Sequence, residues 1–212
     1  MRLYFAETIN SYKTCAVARH LGLDVEFQRV DLQAGEQRSA EFLAINPNGK
    51  TPALIDGDIR LWESNAIICY LAMTAKSDLW PRDERQIDVI KWFNWSAEHF
   101  CRFAGDLYFE HIIRPQFGLG DPDTGVVKEA TGYVRKYGRI LDDHLAHCRY
   151  LLGDLLTVAD FAVATTLPYA REAKIPLGEF PAVRRWHDRL MELPAWRSPF
   201  TTAHDAAHSS VT

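Results

Sequence analysis

The sequence lacks several features that would each place it in a distinct class of protein. No stretch of its 212 residues approaches the roughly 18 consecutive apolar residues of a membrane-spanning helix. The chain does not open with a charged segment followed by an apolar one, so no secretory signal is expected and the expected compartment is the cytosol. A net charge of −4 argues against a nucleic-acid-binding surface or a polybasic membrane anchor.

Paired cysteines and clustered metal ligands are also missing. The four cysteines, Cys15, Cys69, Cys101 and Cys148, are far apart and form no CxxC motif, which argues against zinc clusters and dithiol redox centres. The first two fall within apolar helical patterns, where cysteine usually serves as a small core side chain. His144 and His147 share a helical face but have no third ligand nearby, so no metal is expected.

The first third of the chain alternates strands with helices in the order β-α-β-α-β-β-α. The first connection crosses over a helix, which predicts a parallel strand pair. The segment Asp56–Asp58 reads Asp-Gly-Asp, which predicts a hairpin and hence an antiparallel pair. A helix follows, with Ser64 as its expected N-cap. The pattern therefore predicts a small α/β domain.

Strand patterns disappear after a polar linker that contains a proline. Residues 84–113 read as one long helix with two apolar faces, and further helices follow. Thr157 and Asp160 have the spacing of a helix capping box. These patterns predict an α/β domain at residues 1–76, a linker at 77–83, an all-helical domain at 84–200 and a polar tail at 201–212.

The polar run near the N-terminus is the first candidate for a chemical role. Thr8, Asn10 and Ser11 stand at the start of the first predicted helix. A helix N-terminus presents unpaired N–H groups and partial positive charge, which stabilise a thiolate. The alternative is ordinary helix capping, which Asn and Ser commonly perform.

Two further motifs in the same domain have binding chemistry. Thr51 precedes Pro52 where a strand begins, and a cis bond there would turn the Thr51 backbone outward to pair with an extended peptide. Glu63 directly precedes Ser64 at a helix start. The Glu63 carboxylate could hold an ammonium group, and the adjacent helix N-terminus could hold a carboxylate. A simple turn and a capped surface helix are the respective alternatives.

Gln37 and Lys50 flank the turn "NPNGK" and are candidates for a second carboxylate, with a solvated turn as the alternative. Together with these, the blocks "NSYKTCAVARHLGL", "EFLAINPNGKTPALIDGD", "LWESNAIICYLA" and "LTVADF" resemble, in order, those of the cytosolic glutathione transferases. The resemblance covers about residues 1–200. It implies a thioredoxin-like N-terminal α/β domain, an all-α C-terminal domain, glutathione as co-substrate and a homodimer.

The resemblance also implies roles for individual residues. Thr51 would pair with the cysteinyl backbone of glutathione beside a cis Pro52. Glu63 and Ser64 would hold the γ-glutamyl end, and Gln37 and Lys50 would approach the glycyl carboxylate.

The opening stretch departs from the most common family patterns. Many members use a Tyr, Ser or Cys there, but Tyr4 comes too early and Cys15 lies a turn into the helix. Thr8 stands where related bacterial sequences often have Ser. The stretch is closest to bacterial, nu-class-like members that use Thr and Asn, some of which are glutathione-dependent disulfide reductases and peroxidases.

These observations lead to a functional hypothesis. The enzyme would bind glutathione, stabilise its thiolate through Thr8, Asn10 and the backbone N–H of Ser11, and present it to a small electrophile. The alternatives are disulfide or peroxide reduction by glutathione and a non-catalytic binding module of the same fold. The second substrate would sit between the domains. The residues expected there, with bundle packing or a dimer interface as the alternative, are Trp95, His99, Phe103, Tyr108, His111 and Arg114.

Overall fold

The computed structural model describes residues 1–200, so the predicted tail at 201–212 lies outside the described residues. Contacts divide the chain into two units. The first comprises Met1–Ser77 and the segment that begins at Met191, and the second is Asp78–Leu190. The sequence places residues 84–200 in a single helical domain, whereas these contacts assign the segment from Met191 to the first unit.

The first unit is an α/β sandwich of the thioredoxin-like type. Its four strands lie in the order β2-β1-β3-β4, and β1 pairs parallel with β2 and antiparallel with β3. The β3–β4 pair is an antiparallel hairpin around Gly57, whose φ of 56° suits the predicted turn. Both predicted strand pairings are confirmed. The elements are β1 (Arg2–Phe5), α1 (Ile9–His20), β2 (Glu26–Arg29), α2 (Ala40–Leu43), β3 (Ala53–Asp56), β4 (Ile59–Trp62) and α3 (Ser64–Thr74).

The two faces of the sheet are covered unequally. Leu3 of β1 is fully buried, as are Val17 of α1 and Leu71 of α3, which form part of the core. Strand residues alternate between faces, so Tyr4 lies on the other face, where its ring packs edge-on against Phe42 of the short helix α2. One face is therefore covered by two long helices and the other by a single turn of helix.

The C-terminal segment completes the first unit. It contains α10 (Pro194–Arg197), whose Trp196 is fully buried and packs edge-on against Tyr12 at 4.9 Å between ring centroids. The Tyr12 hydroxyl donates a hydrogen bond to the Trp196 carbonyl. Phe200 stacks on Phe5 at 5.7 Å, so residues nearly two hundred positions apart share this packing.

The second unit is helical. The predicted long helix is interrupted by two π-helical turns, Ser96–Phe100 and Phe109–Ile113, which widen the backbone and change the register of the side chains. Short 3₁₀ segments include Ala164–Tyr169. Within residues 1–200, no helix is long and apolar enough to cross a membrane. The α-helices are α4 (Arg85–Trp95), α5 (Cys101–Tyr108), α6 (Arg114–Gln116), α7 (Thr124–Leu145), α8 (Val158–Val163) and α9 (Pro181–Met191).

A buried carboxylate organises the start of α8. The predicted capping box is confirmed, because Thr157 and Asp160 exchange hydrogen bonds between side chain and backbone. Asp160 is fully buried, and its Oδ1 also accepts from the Leu151 N–H at 2.9 Å and the Trp186 indole N–H at 3.0 Å. The carboxylate thus joins α8, the preceding loop and α9.

Candidate functional site

A polar cavity of about 210 Å³ lies in the first unit where the N-termini of α1 and α3 approach the start of β3. Lys13 of α1 donates a hydrogen bond to Asn65 of α3 at 2.7 Å, which fixes the two helix starts together. The peptide bond between Thr51 and Pro52 is cis, as the resemblance implies. The lining residues are Asn10, Asn46, Asn48, Lys50, Thr51, Pro52, Glu63 and Ser64.

The motif around Glu63 differs from its predicted local geometry. The sequence predicts Ser64 as the N-cap of α3, but Ser64 is the first helical residue and Glu63 takes the cap position with φ of 69°. The Ser64 hydroxyl donates to the Asn10 amide oxygen at 3.4 Å. The positive φ is uncommon for a residue with a side chain.

Asn46 and Asn48 also line the cavity, although the sequence does not predict a role for either. Asn46 is buried, and its amide donates to the Lys50 carbonyl at 2.6 Å and accepts from the Asn48 backbone at 3.0 Å. These bonds fold the turn that carries Lys50 towards the cavity. The one signal in the sequence is the Asn-rich composition of "NPNGK", which by itself predicts only a turn.

Gln37 is not among the lining residues. Its amide nitrogen donates to the Leu32 carbonyl at 3.3 Å, and its side-chain oxygen is buried without a hydrogen-bond partner in residues 1–200. The backbone carbonyl oxygen of Gln37 lies 3.1 Å from the position that a Cβ on Gly49 would occupy. Gln37 therefore contacts the turn that contains Gly49.

Thr8 occupies the N-cap position of α1 but does not act as a cap. Its side chain accepts no N–H of the helix start within the described chain, although its backbone has the extended geometry of a cap. The hydroxyl instead contacts the Ser11 hydroxyl at 3.3 Å, and Ser11 Oγ also accepts from the Ala6 N–H at 3.4 Å. The capping interpretation therefore does not explain Thr8.

Among the residues that the structure describes, no tyrosine or cysteine lines the cavity. The hydroxyl of Tyr12 is bound to the Trp196 carbonyl, and burial raises its pKa. Burial raises the pKa of the Cys15 and Cys69 thiols to about 12. Groups of three or more His, Cys, Asp and Glu side chains that could hold a metal ion do not occur among residues 1–200.

The raised thiol pKa values give a direct prediction. A shift from an ordinary 9.0 to about 12 lowers the thiolate fraction near neutral pH about a thousandfold. We expect iodoacetamide to leave Cys15 and Cys69 unmodified in the native protein while alkylating both in the unfolded protein, with activity retained. Peptide mass spectrometry measures this. Rapid native alkylation of Cys15 with loss of activity would contradict it.

The six residues expected to line a second-substrate pocket separate into two groups. Trp95, His99 and Phe103 pack against α7, where His99 stacks on Tyr137 at 4.6 Å and Phe103 on Tyr133 at 4.2 Å. These three contacts are packing between helices of the bundle.

The second group contains Tyr108, His111 and Arg114. Tyr108 packs against Tyr169 of the 3₁₀ segment, with 5.1 Å between the ring centroids. Arg114 is paired with the buried Glu110 at 2.8 Å. His111 has a buried Nε2 without a hydrogen-bond partner among residues 1–200, and burial, with Lys174 nearby, lowers its pKa.

Comparison with known proteins identifies the family. Residues 1–73 match the model for the glutathione S-transferase N-terminal domain, and residues 100–194 match the C-terminal domain model. Glutathione S-transferase 3 of Zea mays is 35% identical over 195 residues, which cover 89% of this chain and 87% of the relative. The chain therefore belongs to the glutathione S-transferase family and is a glutathione transferase.

Solved structures agree with this assignment. A glutathione S-transferase-I bound with lactoylglutathione has a TM-score of 0.84 and 30% identity, covering 93% of this chain and 97% of its own. URE2P6 from Phanerochaete chrysosporium, in complex with oxidised glutathione, has a TM-score of 0.81 and 27% identity, covering 100% and 97%.

The expected bacterial, nu-class-like subgroup is not supported by these similarities. Glutathione S-transferase 1 of Zea mays is 34% identical over 206 residues, which cover 92% of this chain and 93% of the relative. Like glutathione S-transferase 3, it is a plant protein. The resemblance to members that use Thr and Asn rests on the short opening stretch alone, whereas these identities extend over most of the chain.

Proposed function

We propose that the polar cavity binds glutathione. The observation that carries this proposal is that one cavity gathers a cation, an anion, a helix start and the residues just before a strand, which together match a peptide with two carboxylates and one ammonium group. Glu63 pairs with the ammonium, and the N-terminus of α3 at Ser64 takes the adjacent carboxylate. Thr51 pairs with the cysteinyl backbone as an added strand would, and Lys50 takes the glycyl carboxylate.

The thiol of glutathione is then ionised by stabilisation of its anion. The start of α1 supplies partial positive charge and N–H groups, including that of Ser11. The Thr8 hydroxyl caps no N–H of the helix start, so it can turn from Ser11 Oγ to donate to sulfur. Asn10 supplies a further amide donor at the cavity wall.

Ser11 acts on sulfur through Thr8 rather than by its own hydroxyl. Its side chain is fully buried, so it does not reach a ligand, but it lies within hydrogen-bond distance of Thr8 Oγ1. Hydroxyl hydrogens rotate, so when Thr8 donates to a thiolate the Ser11 hydroxyl can donate to Thr8 Oγ1 in turn. The pair then forms a short chain of donors directed at sulfur.

Conjugation of glutathione to a small electrophile is the reaction we favour. The thiolate attacks the electrophilic carbon, a carbon–sulfur bond forms, and the leaving group departs with the electron pair of its bond. Of the residues expected to meet the second substrate, Tyr108 and His111 are the better candidates, because the three aromatic residues on the α7 side are occupied by packing.

Reduction of a disulfide or peroxide by glutathione is the second candidate. It is favoured by the absence of Tyr and Cys from the lining of the cavity and by the similar protein that was solved with oxidised glutathione. A matched assay with an aryl halide, a hydroperoxide and a mixed disulfide distinguishes the two reactions. The homodimer and the cytoplasmic location remain predictions from the family resemblance and the sequence.

Replacement of Glu63 by glutamine tests the binding proposal. The variant keeps the size of the side chain but loses the charge that pairs with the ammonium group. We expect the KM and the calorimetric Kd for glutathione to rise about tenfold, since Glu63 is exposed and its charge is partly screened, with kcat little changed. Glu192→Gln removes an exposed charge outside the cavity and serves as the control. Equal affinities in both variants and the parent would refute the role of Glu63, and a parent protein that binds no glutathione would refute the function.

A further inference from the structure

A second cavity, of about 350 Å³, lies on the opposite face of the sheet from α1 and α3. We call it the sheet-edge cavity. Tyr4 of β1 and Arg29 at the end of β2 contribute to it from the sheet, and Glu41 and Phe42 contribute from α2. It shares no lining residue with the polar cavity, so it is a separate site within the same unit.

The floor of the sheet-edge cavity is apolar and partly aromatic. Tyr4 and Ile45 are half-buried and pack against the buried cluster of Val30 and Phe42. Tyr4 and Phe42 meet edge-on at 5.9 Å between centroids. The volume falls within the range of about 300–1,000 Å³ that is usual for small-molecule sites, at its lower end. This floor therefore suits one or two fused aromatic rings.

Both arginines at the rim already have carboxylate partners. Arg2 Nε lies 2.9 Å from Glu26, and Arg29 Nε lies 2.7 Å from Glu7. Because the positive charge of each arginine is balanced by its partner, the cavity does not offer an unpaired cation to an anionic ligand.

The remaining charged groups of the rim are carboxylates. The Glu41 side chain makes no hydrogen bond or ion pair within residues 1–200. Glu36 accepts the Asp31 N–H at 2.7 Å through one of its oxygens, and its charge also interacts with Arg29. Ser39 Oγ already accepts the Phe42 N–H as the cap of α2. The charged groups left to meet a ligand are thus carboxylates above an apolar, partly aromatic floor.

We propose that the sheet-edge cavity binds a small aromatic amine in its cationic form. The ring lies against Tyr4 and Ile45, and the ammonium group lies between Glu36 and Glu41. An ammonium near the Tyr4 ring also gains a cation–π interaction. The positive ligand complements the carboxylates of Glu36 and Glu41, whereas an anion of the same shape is repelled by both.

Calorimetric titration with tryptamine tests the proposal, with indole-3-propionate as the anionic probe of similar shape. Both titrations use the full chain saturated with glutathione, which occupies the polar cavity and Glu63. We expect one tryptamine per chain, bound at least tenfold more tightly than the indole carboxylate. Glu36→Gln/Glu41→Gln should weaken tryptamine about tenfold, while Glu129→Gln, an exposed charge on α7, should leave it unchanged.

Gln28→Lys provides an independent test, because it places a cation at the rim from an exposed strand position without removing core packing. We expect it to abolish tryptamine binding and to leave glutathione binding and the circular dichroism spectrum unchanged. The proposal is overturned if tryptamine does not bind at millimolar concentration, if the carboxylate binds as well, or if these variants bind tryptamine like the parent. Competition between tryptamine and glutathione would also overturn it.

Discussion

Replacing Thr8 by valine is expected to lower kcat/KM at neutral pH by about 10- to 100-fold. Valine keeps the shape of threonine but cannot donate to sulfur, and a hydrogen bond to a charged group contributes about 1.5–3 kcal/mol. The pKa of the bound glutathione thiol should rise by about one to two, so less thiolate is present at neutral pH. The KM for glutathione should change little, because we propose that Glu63, Thr51 and Lys50 hold the peptide.

The pH profile distinguishes this role from a structural one. The Thr8→Val rate should recover as the pH is raised, because alkali ionises the thiol without help. Thr8→Ser restores the hydroxyl and should restore most of the rate, and Ser11→Ala should shift the profile in the same direction by a smaller amount. The ultraviolet absorbance of bound thiolate measures the pKa directly. If Thr8→Val left the absorbance and the rates unchanged, a group other than Thr8 would have to donate the hydrogen bond to sulfur.

Replacing Asp160 by alanine is expected to cost about 3–5 kcal/mol of stability, since three buried N–H donors lose their acceptor. For a chain of this size the melting temperature should fall by about 10 °C. Thermal and urea unfolding measure the effect. Asp143→Ala removes an exposed carboxylate from α7 and should change stability by less than about 0.5 kcal/mol. Equal stability of the two variants would contradict the buried network.

The contribution of the Asp160 carboxyl group to folding stability depends on pH. Burial raises the pKa of Asp160 from an ordinary 3.8 to about 6, against the opposing effect of its hydrogen bonds. The folded chain therefore binds this proton more tightly than the unfolded chain, and the contribution of the group to stability is largest below about pH 4 and declines as the pH rises through 6. As the pH rises from about 4 to 6, the difference in unfolding free energy between the parent and Asp160→Asn should shrink, by at most about 3 kcal/mol.

The sequence predicts most of the architecture because its local signals agree with the tertiary structure. Three local patterns each favour one structure: the alternation of strands and helices, the Asp-Gly turn and the Thr157–Asp160 spacing. The structure contains all three. The two π-helical turns are missed because nothing in the apolar pattern of a helix marks the insertion of one residue. The contact of Trp196 with Tyr12 is missed because the two residues are 184 positions apart, and a local sequence pattern does not show such a contact.

The candidate site is predictable to the extent that its residues have chemistry visible in short motifs. Thr51, Glu63 and Ser64 stand at element boundaries where backbone groups are free, and they do line one cavity. Gln37 is expected there because it is polar and near the turn, but its amide is bound to the Leu32 carbonyl. Asn46 is missed because its role is to fold the turn, which depends on contacts that a sequence pattern does not show.

The return of α10 to the first unit determines the order in which the protein can be completed during synthesis. The α/β unit is encoded in two pieces, and its surface around Tyr12 and Phe5 lacks its cover until Trp196 and Phe200 leave the ribosome. The helical unit is made entirely between these pieces. Synthesis of the α/β unit therefore starts before that of the helical unit and is completed after it.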